Sequence, residues 1–335
     1  MPILNTIIYG PPGTGKTYQL TQRALDIIGN VPEGEVPQVV FNNYLLQGRI
    51  EFTTFHQNYA YEDFVEGLQA KYDAGAVHYS IVPGVLKRIA YRALYAWLTG
   101  ESPNLLLNEA QNDIIENYLN NGNIPPNNVN NAQIPNYVLI IDEINRGNVA
   151  KILGELITLV EDTKRARREG EIQAGHQPIF ATLPYTREKF ILPPNLYIIG
   201  TMNTADRSLI GLDAALRRRF TFEELAPQPD LLEGEIEGVN LSGFLTNLNQ
   251  RIENIELTRD HCIGHAYFMG INDVAGLAAV MRQKVIPQLQ EYFHDRPEEL
   301  YDLLKVGDQS FVNERGQIDE DSLRVDALYN DFKAP

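Results

Sequence analysis

Gly10-Pro11-Pro12-Gly13-Thr14-Gly15-Lys16-Thr17 has the spacing G-x-x-x-x-G-K-[ST] of a loop that wraps phosphate groups. Glycines let the backbone approach phosphate oxygens, successive N–H groups converge on them, and the start of the following helix adds positive potential. Lys16 suits the β- and γ-phosphates, and the Thr17 hydroxyl suits Mg²⁺. Val138-Leu139-Ile140-Ile141-Asp142-Glu143 is an apolar run ending in two carboxylates. Asp142 is placed to hold the water shell of Mg²⁺, and Glu143 to polarise an attacking water as a general base. A third polar string, Thr201-Met202-Asn203-Thr204-Ala205-Asp206-Arg207-Ser208, follows another apolar run. Asn203 fits a group that positions the hydrolytic water, while Asp206 or Ser208 also suits a helix N-cap. Finally, Ala215-Leu216-Arg217-Arg218-Arg219-Phe220 puts three arginines at the end of a helical segment. They either complement a helix C-terminus or reach the γ-phosphate of a neighbouring subunit as arginine fingers.

These groups need a scaffold, and the chain alternates short apolar runs with longer helical stretches. That pattern predicts an α/β fold with a parallel sheet. Core strands are expected at residues 6–9, 50–53, 137–141, 196–200 and 220–224, each short and rich in β-branched or aromatic residues. A helix is expected at 17–28 after the phosphate loop. Val149, Ile152, Leu153, Leu156 and Val160 predict another with one apolar face. Residues 120–136, rich in Asn and Pro, read as a surface loop, and 169–188 as a hairpin or long excursion. Pro227-Gln228-Pro229 marks a boundary. The expected domains are therefore 1–226, α/β, and 227–335, smaller and helical, with helices at 241–255, 276–293 and 297–304.

Composition bounds the function. The 335 residues include 44% hydrophobic ones, enough for packed cores. Lys+Arg 28 against Asp+Glu 44 gives a net charge of −16, which argues against broad nucleic-acid-gripping surfaces. Residues 221–335 hold 22 acidic and 9 basic side chains, so a basic groove remains open only to the first two thirds. The single cysteine, Cys262, excludes an intrachain disulfide framework and a cysteine-based zinc site. No signal core or membrane-length apolar run is present, and a cytoplasmic protein with no membrane partner is expected. No folded module is expected ahead of the strand at 6–9 that leads into the phosphate loop. Whether the chain lacks an N-terminal module or is part of a longer protein stays open.

The phosphate loop, Asp142-Glu143-Ile144-Asn145-Arg146-Gly147-Asn148, Met202-Asn203-Thr204-Ala205-Asp206-Arg207-Ser208 and Leu216-Arg217-Arg218-Arg219-Phe220 together resemble the AAA+ motors of the McrB family. So do Phe55-His56-Gln57-Asn58-Tyr59-Ala60-Tyr61-Glu62-Asp63-Phe64-Val65-Glu66-Gly67 and Ile263-Gly264-His265-Ala266-Tyr267-Phe268. The likeness covers nearly the whole chain, and the Met202 to Ser208 string is its most selective part. The resemblance implies an AAA+ P-loop NTPase with a helical lid. It implies GTP as nucleotide, with ATP the alternative, and Mg²⁺ as cofactor. A hexameric ring and an McrC-type nuclease partner are implied as well, in restriction of modified DNA. The family's DNA-reading domain has no counterpart here, so DNA would be met through a missing or separate reader. By resemblance, Asn203, Asp206 and Arg146 organise the catalytic water, and Arg217 and Arg218 meet a neighbour's nucleotide. One departure is visible. Where the family's lid often begins Arg-Ile-Gly-His, this chain reads Cys262-Ile263-Gly264-His265, so the phosphate-contacting lid residue is undetermined, with Arg259 or His261 as substitutes.

Other residues carry two readings. His56 and Gln57, among Phe55, Tyr59, Tyr61 and Phe64, read as core packing or as a subunit interface. His265 reads as structural rather than as a base. Lys164-Arg165-Ala166-Arg167-Arg168 reads as a solvated helix end, with contact to DNA or an acidic partner as the sharper alternative. For the whole chain, the alternatives to a restriction motor are an ATP-driven remodeller of the MoxR or dynein kind and a nucleotide-locked scaffold.

Overall fold

The structure, a computed structural model, describes residues 3–29, 31–73, 76–124, 134–205, 214–236, 238–255, 259–306 and 309–318. The chain divides into two compact units. The first holds the described residues of Met1–Ile8, Thr17–Met202 and Ser208–Glu223; the second holds those of Tyr9–Lys16, Asn203–Arg207 and Glu224–Pro335.

The first unit is built on a five-stranded sheet. Strands β1 (Asn5–Gly10) and β2 (Ile50–Thr54) belong to it, whereas β3 (Glu66–Asp73) and β4 (Ala76–Pro83) form a separate antiparallel ribbon. Strand β5 (Tyr137–Asp142) returns to the sheet, and β6 (Ala181–Thr182) and β7 (Lys189–Phe190) pair as a second small ribbon. Strands β8 (Leu196–Asn203) and β9 (Thr221–Glu224) complete the sheet, whose order is β2-β5-β8-β1-β9. β5 pairs in parallel with β2, Ile50 opposite Val138, and with β8, Tyr137 opposite Leu196. Tyr137 to Ile141 are all buried, as continuous apolar strands of a parallel sheet must be.

Helices of this unit are α1 (Lys16–Ile28), α2 (Pro37–Leu46), α3 (Tyr61–Phe64), α4 (Val85–Thr99), α5 (Glu109–Asn121), α6 (Val149–Leu153) and α7 (Ala214–Arg217). α4 buries Leu86, Ile89, Ala90, Ala93 and Trp97, one stripe at i, i+3, i+4 spacing, and ends at Gly100 with φ 80°. α5 opens with a capping box in which the Asn108 side chain accepts from the Gln111 N–H.

All five expected core strands are present. The expected helix from Val149 differs: α6 stops at Leu153, and Gly154–Val160 continues as a 3₁₀ turn. Gly154 sits at φ 53°, which breaks the α-helical ladder there. The expected loop at 120–136 falls partly outside the described residues, which stop at Ile124 and resume at Ile134.

The second unit packs α8 (Leu241–Asn254), α9 (Val274–Val280), α10 (Ile286–Tyr292) and α11 (Pro297–Leu303) around Phe244, Leu248, Leu277, Met281 and Leu289. The helix expected across 276–293 is interrupted by a π turn, Met281–Val285. Pro287, near the start of α10, has no N–H to give the Gln283 carbonyl, so the ladder loosens ahead of it. Among the described residues no helix is long and apolar enough to cross a membrane.

Candidate functional site

In the first unit the carboxylates lie at the C-terminal tip of β5. Beyond Asp142 the backbone turns at Glu143, whose φ of 52° is left-handed. A non-glycine residue there costs on the order of 1–3 kcal/mol, so surrounding contacts must hold it. Thr201 supplies two of them. The Glu143 N–H donates to Thr201 Oγ1 at 3.2 Å, and the Thr201 hydroxyl donates to Asp142 Oδ1. The register explains the meeting: Ile141 stands opposite Gly200, so the next residue of each strand lies side by side. Thr201 is 2% exposed. Arg146, on the 3₁₀ turn that follows, places Nε 3.3 Å from Glu143 Oε2. Asp142, Glu143 and Arg146 are thus brought together. The Thr17 hydroxyl and Asp142 carboxylate are hard oxygen donors, the kind Mg²⁺ takes.

In the second unit the phosphate loop is held in a left-handed turn at Gly13 (φ 76°) and Gly15 (φ 83°). Lys16 Nζ donates to the carbonyls of Gly10 at 2.9 Å and Pro11 at 2.8 Å, and Thr14 Oγ1 donates to Pro11 O at 3.0 Å. The segment after Cys262 clasps the loop from outside. Gly264 N–H donates to Pro12 O at 3.0 Å, and Ala266 N–H to Gly13 O at 2.8 Å. The approach is so close that a Cβ on Gly264 would stand 1.9 Å from the Gly13 carbonyl carbon, and one on Gly13 would stand 2.4 Å from the Tyr267 ring. His265 is buried, and its Nδ1 accepts the Gln228 N–H at 3.2 Å, so the neutral ring carries its proton on Nε2. Nε2 faces Gly15, 3.9 Å from where a Cβ would stand, and burial holds the imidazole below its usual pKa. Thr204 N–H donates to Gly10 O at 3.3 Å, which ties the segment beginning at Asn203 to the loop. Asp206 lies outside the described residues.

The three arginines separate. Arg219 is buried and pairs with Glu161 at 2.8 Å, and its carbonyl accepts from Asn5. Arg217 is exposed. The Arg218 side chain is 67% exposed, with Nε only 3.9 Å from Glu161. Arg217 and Arg218 point outward, and Arg219 anchors the strand behind them.

Residues 5–220 match the family model described as the AAA domain of the dynein-related subfamily. The chain belongs to that AAA family. Residues 240–301 match the model described as the McrB alpha-helical lid domain, which covers α8 to most of α11. The AAA chain is 32% identical to the EcoKMcrB subunit of the type IV methyl-directed restriction enzyme of Escherichia coli (strain K12). That likeness covers 88% of this chain and 54% of the relative. It is 29% identical to the YdiS component of the type II restriction enzyme BsuMI of Bacillus subtilis (strain 168), over 66% of this chain and 57% of the relative. The chain therefore spans about half the length of the curated relatives it matches.

One expectation about this AAA chain changes. The basic run at 164–168 is not a solvated helix end. Arg165 is fully buried, donating to the carbonyls of Val160, Pro193 and Leu196 and to Asn5 Oδ1, and burial lowers its pKa to about 10. Arg167 pairs with Asp162, and Arg168 lies over Trp97 and donates to its carbonyl at 2.6 Å. Those arginines hold the unit together and offer little to DNA. In the aromatic segment, Phe55 and Phe64 are core residues that meet edge to face, Phe55 stacks on Tyr59, and His56 and Gln57 are exposed. Sequence reasoning gave no role to Thr201, Gly264 or Tyr267. The one available signal was a hydroxyl in the strand beside the carboxylates.

Proposed function

We propose that this chain is a nucleoside-triphosphate-hydrolysing motor subunit that uses GTP, assembles as a ring and drives an McrC-type nuclease in restriction of modified DNA. The observation that carries the hydrolytic part is the Asp142–Thr201–Glu143 arrangement at the tip of β5. A protein that only bound nucleotide would need no strained Glu143 held beside Asp142. The restriction context is supported by the two relatives, both components of restriction enzymes. GTP rests on the McrB resemblance, because a phosphate loop does not read the base.

In this reading the backbone N–H groups of residues 13–17 and the Lys16 ammonium hold the phosphates. Lys16 exchanges the carbonyls of Gly10 and Pro11 for phosphate oxygens, and such charge-assisted bonds are roughly twice as strong as neutral ones. Thr17 and Asp142 would hold Mg²⁺, which when bound neutralises charge on the β- and γ-phosphates. Glu143 takes the proton of the attacking water, with Arg146 orienting its carboxylate. Asn203 and Asp206 position the water, and Arg217 or Arg218 of the next subunit stabilises the transferring phosphoryl group.

The test is hydrolysis of GTP and ATP in competition, with and without an McrC-type subunit. GTP turnover that rises with the partner is expected. Glu143→Gln should lower turnover by at least about 100-fold while nucleotide binding survives. Restriction that persists in Glu143→Gln would favour the scaffold reading. ATP turnover stimulated by a protein substrate would favour the remodeller.

A further inference from the structure

Beside the phosphate loop the second unit holds a pocket of about 240 Å³. Pro11, the second residue of the loop, lines it together with Ala226 and Pro227. Glu253 of α8, Arg259 and Cys262 give it a polar side. The pocket meets the loop at Pro11. A triphosphate gripped by the loop must place its ribose and base within a few bonds of that grip. Apolar walls suit the faces of a purine, but they do not tell one purine from another. Only polar groups at the edge do.

Among those groups Asn249 is already committed, since its amide exchanges two hydrogen bonds with the Ile263 backbone at 2.9 and 2.7 Å. Among the described residues Glu253 makes long contacts, with Oε1 3.7 Å from Cys262 Sγ and 3.8 Å from Arg259 Nε. The Cys262 thiol is pushed up to about 12, first by burial and then by the Glu253 charge, so it stays protonated and acts only as a weak donor. A carboxylate offers acceptors and no donor.

We infer that the Glu253 carboxylate reads the nucleobase and selects guanine over adenine. The inference rests on the proposal that the loop binds a nucleoside triphosphate. Guanine presents N1–H and the 2-amino group side by side, and one carboxylate accepts both. Adenine presents the N1 lone pair at the same place, where a carboxylate repels it. Arg259 stands beside Glu253 as a donor for the guanine O6. A polar site built for one edge rejects the other because its own groups are left unpaired.

The experiment is displacement of mant-GTP from the full chain by GTP, ITP and ATP, for the wild type, Glu253→Gln and Glu253→Ala. Inosine lacks the 2-amino group and so removes one of the two bonds. The wild type should rank GTP, then ITP, then ATP, with about 10- to 100-fold between the first and the last. Glu253→Ala should bring GTP and ITP together and reduce the GTP-to-ATP ratio to about threefold or less, with Glu253→Gln between. Glu253 is half-exposed on a helix surface, so the isosteric Gln variant should fold even if Ala does not, and circular dichroism checks both. An unchanged GTP-to-ATP ratio in the folded variants overturns the inference. So does a wild type that prefers ATP, although triphosphate binding then stands. A wild type that binds mant-GTP no better than Lys16→Ala overturns both.

Discussion

Thr201 is the residue on which the carboxylate end of the site turns. Its hydroxyl serves Asp142 and the Glu143 backbone at once, so one substitution unmakes both contacts. Thr201→Val should cost about 1–3 kcal/mol in stability, because it leaves a buried N–H and a carboxylate without their partner. It should also cut turnover more than it cuts nucleotide binding, and Thr201→Ser should restore both. Denaturant melts and turnover of the two variants check this, and equal behaviour of Val and Ser would remove the role. Asp142 and Glu143 were legible because an apolar run ending in two carboxylates, a weak signal alone, becomes strong when a phosphate loop precedes it. Thr201 was not, because threonine is an ordinary strand residue, and only strand register shows which side chain its hydroxyl meets. His265 makes a second prediction at this scale. Burial holds its imidazole below the usual value, so the folded state takes a proton at lower pH than the unfolded chain, where histidine titrates near about 6.5. Stability from the neutral ring is complete above that value and is lost as pH falls through it towards the folded pKa. Protonation also removes the acceptor for the Gln228 N–H. The melting temperature should therefore drop more between about pH 7.5 and about pH 5.5 in the wild type than in His265→Asn, and equal drops would exclude His265 as the titrating group.

At the scale of elements, the phosphate loop is shaped as much by the segment after Cys262 as by its own glycines. Two backbone bonds join that segment to Pro12 and Gly13, and they require Gly264 to lie almost on the loop. Gly264→Ala should displace the loop. We expect nucleotide affinity to fall by about tenfold or more, with the α8–α11 core still folded, since overpacking costs typically about 1–3 kcal/mol. Titration with a fluorescent nucleotide, paired with far-UV circular dichroism, separates lost affinity from lost fold. Unaltered affinity would mean that the loop keeps its shape without the clasp. The loop itself was plain in the sequence, but the clasp was not, because a glycine that permits close approach looks like any glycine until its neighbour is known. The helix beginning at Val149 shows a similar limit. Its apolar face was legible, yet the face persists through a change from α to 3₁₀ at Gly154, where Leu153, Leu156 and Leu159 continue at i+3 spacing. The basic run at 164–168 was legible as charge only. That Arg165 spends its guanidinium on backbone carbonyls is a property of the fold around it.

For the whole molecule, the question is whether one chain contains a complete hydrolytic site. Arg217 and Arg218 are exposed, and Arg219, which a sequence cannot distinguish from them, is tied to Glu161. Exposed arginines on a chain of net charge −16 are well placed to meet a triphosphate on another copy. If they act in trans, each active junction needs Glu143 from one subunit and arginines from its neighbour. Glu143→Gln alone and the Arg217→Ala/Arg218→Ala double variant alone should both be inactive, the second by about 1,000-fold or more. Mixed in equal amounts and assembled at random, about a quarter of the junctions would join an intact Glu143 to intact arginines. Turnover should therefore reappear in the mixture and should rise with total protein concentration, because a ring must form first. Steady-state hydrolysis of the two variants, apart and mixed, measures this directly. A mixture as silent as its components would place the arginines in the same subunit as the carboxylate, or outside the reaction. Full activity in the double arginine variant would leave those residues to the helix end they follow.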